Sequence, residues 1–555
     1  HRARRRHRDD RLLHAGVSIS GPIPAQCART GHAVRLHVQA LRWCVVALFV
    51  LLPGCARLPA QPAPLALQTH FTAGAATTLG QMVATQGLPE GLSGVRVLDT
   101  GRDAFLERAA LIETAERAID LQYYIWNSDV TGIYLAHRLY AAAGRGVHVR
   151  LLLDDVNVAG RDAALALLDS HPNIEVRVYN PFARRHGAGR VLNLLGDFKR
   201  LNRRMHVKTF TVDDSVTIIG GRNICDEYFD AHAHLNFRDR DVVAIGPVVD
   251  TTAQMFDDFW NAALSRPIAA LTDTQPDAVG KPDLTVFERA AHTIEALHGA
   301  LPQRSDAPQR LRTSFAGMTQ AQATLVHDRP AAPETVAATM LPQTGSSALD
   351  AIAATVRKEL LIESAYLVLD DTTLEGVAWL HAQGIQVRAL TNSLASNDVT
   401  PNHAAYARRR ERILDSGVEL HELRPDAASC RELIMNAGAC LPPHVFGLHA
   451  KTYVLDRQTV YVGSLNLNMR SRYLNAESGL VIDSPEMAAG IAQAIEHNMK
   501  PANSWQVARD EHGNLVWRSV ASAPGGAQSD TEPATSWSRR LSSEFFALWP
   551  LEKYL

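Results

Sequence analysis

The chain has 555 residues, of which 46% are hydrophobic and 21% charged, and this composition excludes a disordered, collagen-like or disulfide-dense protein. Its 56 basic and 58 acidic residues give a formal net charge of −2, so the chain has no general basic excess that would hold it on nucleic acid. Six cysteines over this length form no disulfide framework, and no Cys/His cluster has the spacing of a zinc site. We therefore expect a globular protein with more than one core, in which any anion binding is local.

The N-terminal segment is typical of an export signal. The chain begins at His1, has no Met before Met82, and carries an apolar run over residues 44–52. This run is too short to span a bilayer, which takes about 20 residues, but it has the length of a signal-peptide core. It ends in Leu52-Pro53-Gly54-Cys55, which resembles the lipobox of bacterial lipoproteins, although Pro53 is unusual there. In a lipobox the cysteine is lipidated and becomes the mature N-terminus.

These features predict an export segment over residues 1–55, in a gene model that starts too early, and a Pro/Ala-rich tether and lead-in over residues 56–97. Lipidation of Cys55 would place the protein in a bacterial cell envelope, on the extracytoplasmic side of a membrane. The alternative is a non-cleaved signal anchor in which the cysteine is incidental.

Two copies of one motif lie 243 residues apart. Met205–Asp213 reads MHVKTFTVD and Leu448–Asp456 reads LHAKTYVLD, so both have the pattern H-x-K-x-x-x-x-D. In each copy an Asn follows the His by 17 residues, in the turns Gly220-Gly221-Arg222-Asn223 and Gly463-Ser464-Leu465-Asn466. We infer that the chain contains two copies of one fold unit.

Strands and helices alternate within each copy. The apolar runs of residues 149–155 and 387–393 end in polar residues, as buried strands do, and residues 102–118 carry apolar side chains at helical spacing. Alternation within the motif places His206 and Lys208 on one face of a predicted strand, and the second copy repeats this arrangement. An edge strand with a solvated Lys would explain one copy, but not two copies with matched turns.

The paired His, Lys and Asn residues point to transfer at a phosphodiester. A phosphoryl centre carries negative charge on its equatorial oxygens, and without a metal ion this charge must be held by cations and hydrogen-bond donors. Lys208 and Lys451 are the expected cations, and Asn223, Ser464 and Asn466 are the expected phosphate-binding donors. One imidazole attacks the phosphorus while the other protonates the departing alkoxide, which gives a covalent phosphohistidine.

Two acidic residues are candidates for orienting the imidazoles. A nucleophilic imidazole must be neutral and held in one tautomer, so the second ring nitrogen needs a carboxylate or a carbonyl. Glu477, 28 residues after His449, is one candidate. Asp239 is its counterpart in the first copy, with Asp241 as a rival. The alternative for each is an ordinary surface carboxylate.

The paired motif resembles that of the phospholipase D superfamily, and the flanking residues 201–223, 390–399 and 508–517 resemble bacterial cardiolipin synthases of the C type. The resemblance implies an α/β fold of two tandem phospholipase D-like lobes, each a mixed sheet flanked by helices. The lobes are expected to be related by pseudo-two-fold symmetry, with one active site at their interface. The expected boundaries are residues 98–305 for lobe one, 306–319 for the connection, 320–510 for lobe two and 511–555 for a C-terminal membrane-proximal tail.

The resemblance also implies residue roles and a reaction. His206 is the expected nucleophile and His449 the general acid and base, although the pseudo-symmetry leaves this order open. Asp213 and Asp456 belong to the catalytic motif, but the family places them away from the chemistry, bracing strand and turn. No metal or other cofactor is implied. The implied reaction transfers a phosphatidyl group from a donor phospholipid to phosphatidylglycerol, giving cardiolipin.

Hydrolysis is the competing prediction. A phospholipase D that releases phosphatidic acid, or an exported nuclease of the same superfamily, would use the same residues. The near-neutral charge and the predicted lipid anchor argue against nucleic acid as a partner. A non-enzymatic lipid-binding scaffold conflicts with intact His and Lys residues in both copies. We expect phosphatidylglycerol and phosphatidylethanolamine as phospholipid partners, met at a membrane surface.

Three smaller features complete the sequence-based expectations. Arg222 faces either the phosphate or solvent, and Cys225 is expected to be a small buried residue rather than a nucleophile. Cys430 and Cys440 are close enough in sequence to form a disulfide in an oxidising compartment, but the spacing does not require one.

Two segments combine basic and apolar residues. Residues 178–206 contain seven Arg and Lys residues interleaved with apolar ones, which fits either contact with anionic headgroups or a solvated loop. Residues 536–555 combine basic with aromatic side chains, which fits either a membrane interface or packing on the body of the protein.

Overall fold

The computed structural model describes residues 65–185, 187–272, 282–332, 342–519, 528–549 and 552–554. The predicted export segment, residues 1–55, and with it Cys55, lie outside these described residues. None of the helices in the described ranges combines the length and the apolar character needed to cross a bilayer.

Lobe one comprises the described residues up to Ala316. Its strands are β1 (Ser93–Leu98), β2 (Ala118–Tyr123), β3 (His148–Asp154), β4 (Ile174–Tyr179), β5 (Thr209–Val212), β6 (Val216–Gly220), β7 (Leu235–Arg238), β8 (Asp241–Ile245) and β9 (Ser265–Pro267). Its α-helices are α1 (Thr78–Ala84), α2 (Gly101–Thr114), α3 (Val130–Gly144), α4 (Asp155–Val158), α5 (Asp162–Asp169), α6 (Gly187–Gly196), α7 (Phe198–Leu201), α8 (Pro247–Trp260), α9 (Leu284–His298) and α10 (Ala307–Ala316).

Lobe two comprises the described residues from Thr319 onward. Its strands are β10 (Thr319–His327), β11 (Glu359–Ser364), β12 (Leu367–Val368), β13 (Gln386–Asn392), β14 (Glu419–Leu423), β15 (Val445–Leu448), β16 (Lys451–Leu455), β17 (Thr459–Gly463), β18 (Leu467–Asn468), β19 (Ser478–Asp483), β20 (Ser504–Arg509), β21 (Leu515–Arg518) and β22 (Gln528–Ser529). Its α-helices are α11 (Thr344–Ala353), α12 (Asp371–Ala382), α13 (Thr400–Asp415), α14 (Cys430–Leu433), α15 (Met469–Tyr473), α16 (Pro485–Asn498) and α17 (Trp537–Ala547).

The two sheets have the same strand order. Lobe one runs β9-β4-β3-β2-β5-β6-β8-β1, and lobe two runs β20-β14-β13-β11-β16-β17-β19-β10, with parallel and antiparallel pairs in corresponding places. The edge strands β1 and β10 pair antiparallel, so one sheet continues into the other. The predicted fold, two tandem α/β lobes related by pseudo-two-fold symmetry, is confirmed.

Packing follows from the sequence pattern of each element. All but the first residue of β3 and all but two residues of β13 are buried, as expected of parallel strands whose two faces are covered. Helix α2 begins after Thr100, whose side chain accepts a hydrogen bond from Asp103 N and so caps the first turn. A second apolar cluster joins the lobes, since it contains Ile219 of lobe one and Val460 of lobe two.

Some elements differ in extent from the sequence-based expectation. Strands β5 and β16 begin only at Thr209 and Lys451, so His206, Lys208 and His449 lie in or beside the extended segments that lead into the strands. Residues 78–97, predicted as lead-in, supply α1 and β1 to lobe one. Residues 306–319, predicted as a connection, contain α10 and the first residue of β10.

Candidate active site

The first half of the site is built around His206, which is 7% exposed. Its Nδ1 lies 2.7 Å from Glu477 Oε2. That carboxylate also accepts hydrogen bonds from the hydroxyls of Ser464, at 2.6 Å, and Ser471, at 2.7 Å. Because Nδ1 donates its proton to the carboxylate, Nε2 keeps its lone pair and is the ring atom available to attack an electrophile.

The second half repeats the arrangement around His449. Its Nδ1 lies 2.7 Å from Asp239 Oδ2, and both side chains are buried. Asp239 belongs to lobe one and Glu477 to lobe two, so each imidazole is oriented by a carboxylate of the other lobe. The sequence suggested both acids, but counting within each copy assigned Glu477 to His449 and Asp239 to His206. The structure corrects this assignment.

Backbone pairing between the lobes produces the exchange. Leu448 is the parallel partner of Arg238, and the His449 N–H donates to the Arg238 carbonyl at 2.8 Å. In the other half, Met205 forms a parallel bridge with Ala476, and the His206 N–H donates to the Ala476 carbonyl at 2.8 Å. In both halves the next residue of one partner is the histidine and the next residue of the other is the carboxylate.

The turn of small residues supports each carboxylate within its own lobe. An added Cβ at Gly221 would lie 2.1 Å from Asp239 Oδ1, so this position must be glycine. Ser464, at the equivalent position of lobe two, donates its hydroxyl to Glu477. The rival candidate Asp241 instead forms an ion pair with Arg108 at 2.8 Å and does not orient a histidine.

Two buried lysines supply the positive charge. Lys208 Nζ donates to the His206 carbonyl at 2.6 Å, and Lys451 Nζ donates to the His449 carbonyl. Burial lowers the pKa of Lys208 to about 7 and that of Lys451 to about 8. The charge of Lys451 also acts to lower the pKa of Lys208, so the two ammonium groups share one site. A bound anion would relieve this repulsion.

Both imidazoles are neutral at pH 7 in the free protein. Burial lowers the pKa of His206 to about 4 and that of His449 to about 3, and the lysine charges act in the same direction. Burial acts to raise the pKa of the Asp239 carboxyl, but the His449 and Lys451 beside it hold that pKa well below its usual range. The site therefore combines two ionised carboxylates with two neutral imidazoles.

The predicted phosphate-binding donors lie at the site but differ in their contacts. Both polar atoms of Asn223 have a protein partner, because its Oδ1 accepts from Ile125 N at 3.1 Å and its Nδ2 donates to the Tyr228 hydroxyl at 3.0 Å. The Ser464 hydroxyl donates its hydrogen bond to Glu477. It therefore supports that carboxylate and is not a free donor for phosphate. The carboxamide oxygen of Asn466 is buried with no hydrogen-bond partner among the described residues, so the unused capacity of this side chain is that of an acceptor.

The two motif aspartates lie away from the histidines, as the resemblance implied. Asp213 accepts hydrogen bonds from three backbone N–H groups, those of residues 116, 117 and 118, which lead into β2. Asp456 does the same for residues 357, 358 and 359 at the start of β11. Both have a positive φ, 50° and 53°, at the tight turn after the motif strand. They brace strand and turn and contact no group that transfers a proton.

Two tyrosines of the site were missed in the sequence. The Tyr228 hydroxyl lies 3.1 Å from His449 Nε2, the ring atom opposite to the one bound by Asp239. The Tyr124 ring packs edge-on against His206, with centroids 4.9 Å apart. Tyr228 has no repeat-related signal, since the equivalent position of lobe two is Ser471. Tyr124 could have been found, because Tyr366 occupies the matching position of the second repeat.

A buried ion-pair network across the lobes was also missed. Arg238 Nε lies 3.0 Å from Glu363 Oε1, and Arg240 Nη1 lies 2.6 Å from Glu363 Oε2. The two arginines flank Asp239 in sequence, so they fix the segment that carries this carboxylate against lobe two. The sequence did carry a signal for this network, because residues 238–241 are four consecutive charged residues. The structure shows that this segment is buried.

The remaining sequence-based alternatives have clear outcomes. Arg222 faces neither phosphate nor solvent, because it is buried and donates to backbone carbonyls, including that of Leu98 at 2.8 Å. Cys225 is a buried free cysteine, as expected. Cys430 and Cys440 form a disulfide.

Two imidazole–carboxylate pairs and two lysines, brought together by duplicated α/β lobes, define a phospholipase D-type phosphodiester-transfer site. A family model described as "Cardiolipin synthase, PLD-like domain" matches residues 109–260 and 349–499. The chain belongs to this family of cardiolipin synthase-type, phospholipase D-like proteins.

The chain is also similar to individual proteins. Cardiolipin synthase C of Escherichia coli is 39% identical over 474 residues, which cover 83% of this chain and 96% of that protein. An uncharacterized protein of Helicobacter pylori is 30% identical over 85% of this chain and 92% of that protein. Among solved structures, phosphatidylserine synthase of Haemophilus influenzae is 15% identical, with a TM-score of 0.49 over 77% of this chain and 92% of that chain.

Proposed function

We propose that this protein makes cardiolipin by transferring a phosphatidyl group from phosphatidylethanolamine to phosphatidylglycerol through a phosphohistidine. The observation that carries the proposal is the pair of buried imidazoles, each held by a carboxylate of the other lobe, around two lysines. Similarity to Cardiolipin synthase C of Escherichia coli over nearly the whole of that protein supports this choice of reaction.

The first step forms the covalent intermediate. The lone pair of His206 Nε2 forms a P–N bond to the phosphorus of the donor lipid, and the P–O bond to the head group breaks. The departing head-group oxygen takes a proton from His449. The negative charge of the bound phosphodiester raises the pKa of His449 and so allows this ring to carry the proton.

The second step releases cardiolipin. His449 takes the proton of a glycerol hydroxyl of phosphatidylglycerol, and that oxygen forms a new P–O bond while the P–N bond breaks. His206 returns to its neutral form, and the sum of both steps is cardiolipin plus the free head-group alcohol. Throughout, Lys208 and Lys451 balance the phosphoryl charge.

We also propose that the enzyme acts on the extracytoplasmic side of a bacterial membrane and is anchored there through Cys55. The apolar run of residues 44–52 and the sequence Leu52-Pro53-Gly54-Cys55 support this placement. Metabolic labelling with a palmitate analogue in a bacterial host tests it, because the label should enter the parent chain and be absent from Cys55→Ser.

Mass spectrometry of the lipid products tests the reaction. The purified full chain is incubated with vesicles of phosphatidylethanolamine and phosphatidylglycerol, and each lipid is left out in turn. Cardiolipin formed only when both lipids are present supports transfer with phosphatidylethanolamine as donor. Cardiolipin from phosphatidylglycerol alone would change the donor. Phosphatidic acid as the sole product would make water the acceptor and overturn the transferase proposal.

A further inference from the structure

Helices α6 and α7 expose apolar side chains immediately before the first motif. Val191 is 60% exposed and Leu195 65%, and Leu192, Leu194 and Phe198 are also exposed. Three of the seven basic side chains of residues 178–206 are buried, those of Arg185, Arg200 and Arg204. Arg185 pairs with Asp155, and Arg204 is buried against Asp154. The exposed surface of this segment is therefore mainly apolar, with Arg184 and Lys199 as exposed basic residues.

The C-terminal helix α17 exposes a second apolar surface. Trp537, Leu541, Phe545 and Leu548 follow one another at intervals of four, four and three residues, so they form one helical face, and all four are exposed. The body of the protein holds the helix from α13, where Arg408 donates to the carbonyls of Ala547 and Trp549 at 3.1 Å. The helix thus packs on lobe two and still presents an unpartnered apolar face.

The two surfaces meet at Tyr554. Its ring packs edge-on against Phe198 of α7, with centroids 5.1 Å apart. Arg470 fixes this junction, because its Nη1 donates to the Tyr554 carbonyl at 2.9 Å and to Asn202 Oδ1 at 2.8 Å. We call the exposed apolar residues together the docking patch; they are Val191, Leu192, Leu194, Leu195, Phe198, Leu541, Phe545, Leu548, Trp549 and Tyr554. Exposed Lys199 and Lys553 lie within it.

The docking patch borders the active site. Asn202, which Arg470 binds, precedes His206 by only four residues. The charge of Arg470 is near enough to act on Tyr124, whose ring packs on His206. A flat partner seated on the patch would therefore lie close to the half-site of His206.

We propose that the docking patch binds the surface of a bilayer containing anionic phospholipids and thereby presents lipid headgroups to His206. This inference rests on the proposed function, because it concerns how the lipid substrate reaches that site. Segments that insert at the headgroup boundary of a bilayer combine leucine, phenylalanine and tryptophan with lysine, as the docking patch does. Lys199 and Lys553 add attraction for anionic headgroups, which are the charge-complementary partner.

Vesicle co-sedimentation with matched variants tests the patch. Parent and variants are full chains carrying Cys55→Ser, so that a lipid anchor does not contribute. The patch variant is Leu195→Glu/Phe545→Glu/Trp549→Glu. Its control, Leu284→Glu/Trp379→Glu/Met435→Glu, introduces the same charge at apolar residues that are similarly exposed elsewhere. Circular dichroism and thermal unfolding establish that each variant is folded.

The patch variant should bind vesicles of phosphatidylglycerol and phosphatidylcholine at least about tenfold more weakly than the parent, while the control binds like the parent. Phosphatidylcholine vesicles should bind the parent more weakly than the mixed vesicles do. Equal binding by the patch variant and the parent would overturn the inference. A second outcome would also overturn the inference. If the parent were a dimer, and the patch variant lost this dimer but bound vesicles normally, the patch would bind a second copy of the chain rather than a bilayer.

Turnover separates this inference from the proposed function. On short-chain phospholipids below their critical micelle concentration, the patch variant should keep the parent rate within about twofold, because no surface has to be bound. Vesicle binding through the patch in a parent that forms no cardiolipin would leave the inference standing and remove the proposed reaction. If the parent formed cardiolipin but the patch variant bound vesicles as well as the parent, the proposed reaction would stand and the patch inference would be overturned.

Discussion

His206 and Glu477 are 271 residues apart in sequence, yet His206 Nδ1 and Glu477 Oε2 lie 2.7 Å apart across the lobe interface. The same relationship holds between His449 and Asp239. Each lobe thus supplies one imidazole and the carboxylate that orients the imidazole of the other.

Replacement of the two histidines should give different products. His206→Ala removes the attacking nitrogen, so we expect no detectable turnover. His449→Ala leaves the nucleophile in place but removes the group that moves protons, so turnover should fall by roughly 10²–10⁴-fold. Intact-protein mass spectrometry should then find at most a trapped phosphatidyl group on His206. Parent-like turnover by either variant would contradict the mechanism, and trapping in His206→Ala would reverse the two roles.

Replacement of the orienting carboxylates should disable the imidazole of the other lobe. Glu477→Gln and Asp239→Asn keep the side-chain shape but lose the charge that fixes the tautomer, and we expect a loss in kcat of roughly 10²–10⁴-fold. Adding Asp239→Asn to His449→Ala, which keeps measurable turnover, should cost almost nothing further, because the two residues act as one unit. Asp483→Asn, at the exposed end of β19, is the matched control and should behave like the parent. A large additional loss in the double variant would argue against the pairing.

Tyr228→Phe tests the hydroxyl that contacts His449 Nε2. The variant keeps the ring but removes a hydrogen bond to the atom that exchanges protons, so kcat should fall about tenfold with little change in KM. Tyr179→Phe is the control, since it removes another buried hydroxyl, one that accepts from Ala331 N. Equal effects of the two substitutions would reduce Tyr228 to a general packing residue.

The lysines predict an alkaline limit on activity. Only the protonated ammonium group binds phosphate. Each lysine therefore contributes to phosphate binding at a pH below its pKa, and this contribution is lost as the pH rises through that pKa. With pKa values of about 7 for Lys208 and about 8 for Lys451, kcat/KM should fall as the pH rises above this range. Bound lipid phosphate raises both pKa values, so kcat at saturation should decline at a higher pH.

Lys208→Arg should move the alkaline limb of the kcat/KM profile upward, because a guanidinium stays charged. The exposed Lys500→Arg supplies the matched control and should leave the profile in place. If the alkaline limb stayed at the same pH in both Lys208→Arg and Lys451→Arg, the loss of activity at high pH would be due to another titrating group.

Chelators should leave activity unchanged, because the lysines occupy the role that a metal would have at the phosphoryl group. Among the described residues, one group of three, Asp129, Cys225 and Glu227, has ligand atoms within 4.8 Å of one another. If a chelator abolished turnover and a divalent ion restored it, Glu227→Gln would establish whether this group holds the ion. Such a requirement would contradict charge neutralisation by Lys208 and Lys451.

The fold and the site residues could be predicted because the sequence repeats itself. The offset between the motifs of His206 and His449 identified two fold units, and matched turns identified Asn223 and Asn466. Asp239 and Glu477 were found because a nucleophilic imidazole needs an acceptor on its second nitrogen. Local pattern and chemical necessity were sufficient for these residues.

The remaining features depend on contacts between distant segments. The exchange of carboxylates follows from backbone pairing between the lobes, as in Leu448 with Arg238, and no local pattern encodes such a pair. Tyr228 depends on the position of His449 in the other lobe. The meeting of Phe198 with Tyr554 likewise joins two segments that the sequence could characterise only separately.

The pairing of β7 with β15 has a consequence for how the enzyme can be regulated or inhibited. A movement of the lobes that breaks both this pairing and the Met205–Ala476 bridge would separate His449 from Asp239 and His206 from Glu477. Neither half could then retain partial activity while the other is disabled. A compound that binds between the lobes outside the phosphate site and separates them would therefore inhibit both half-sites. Such an inhibitor would not need to resemble a lipid.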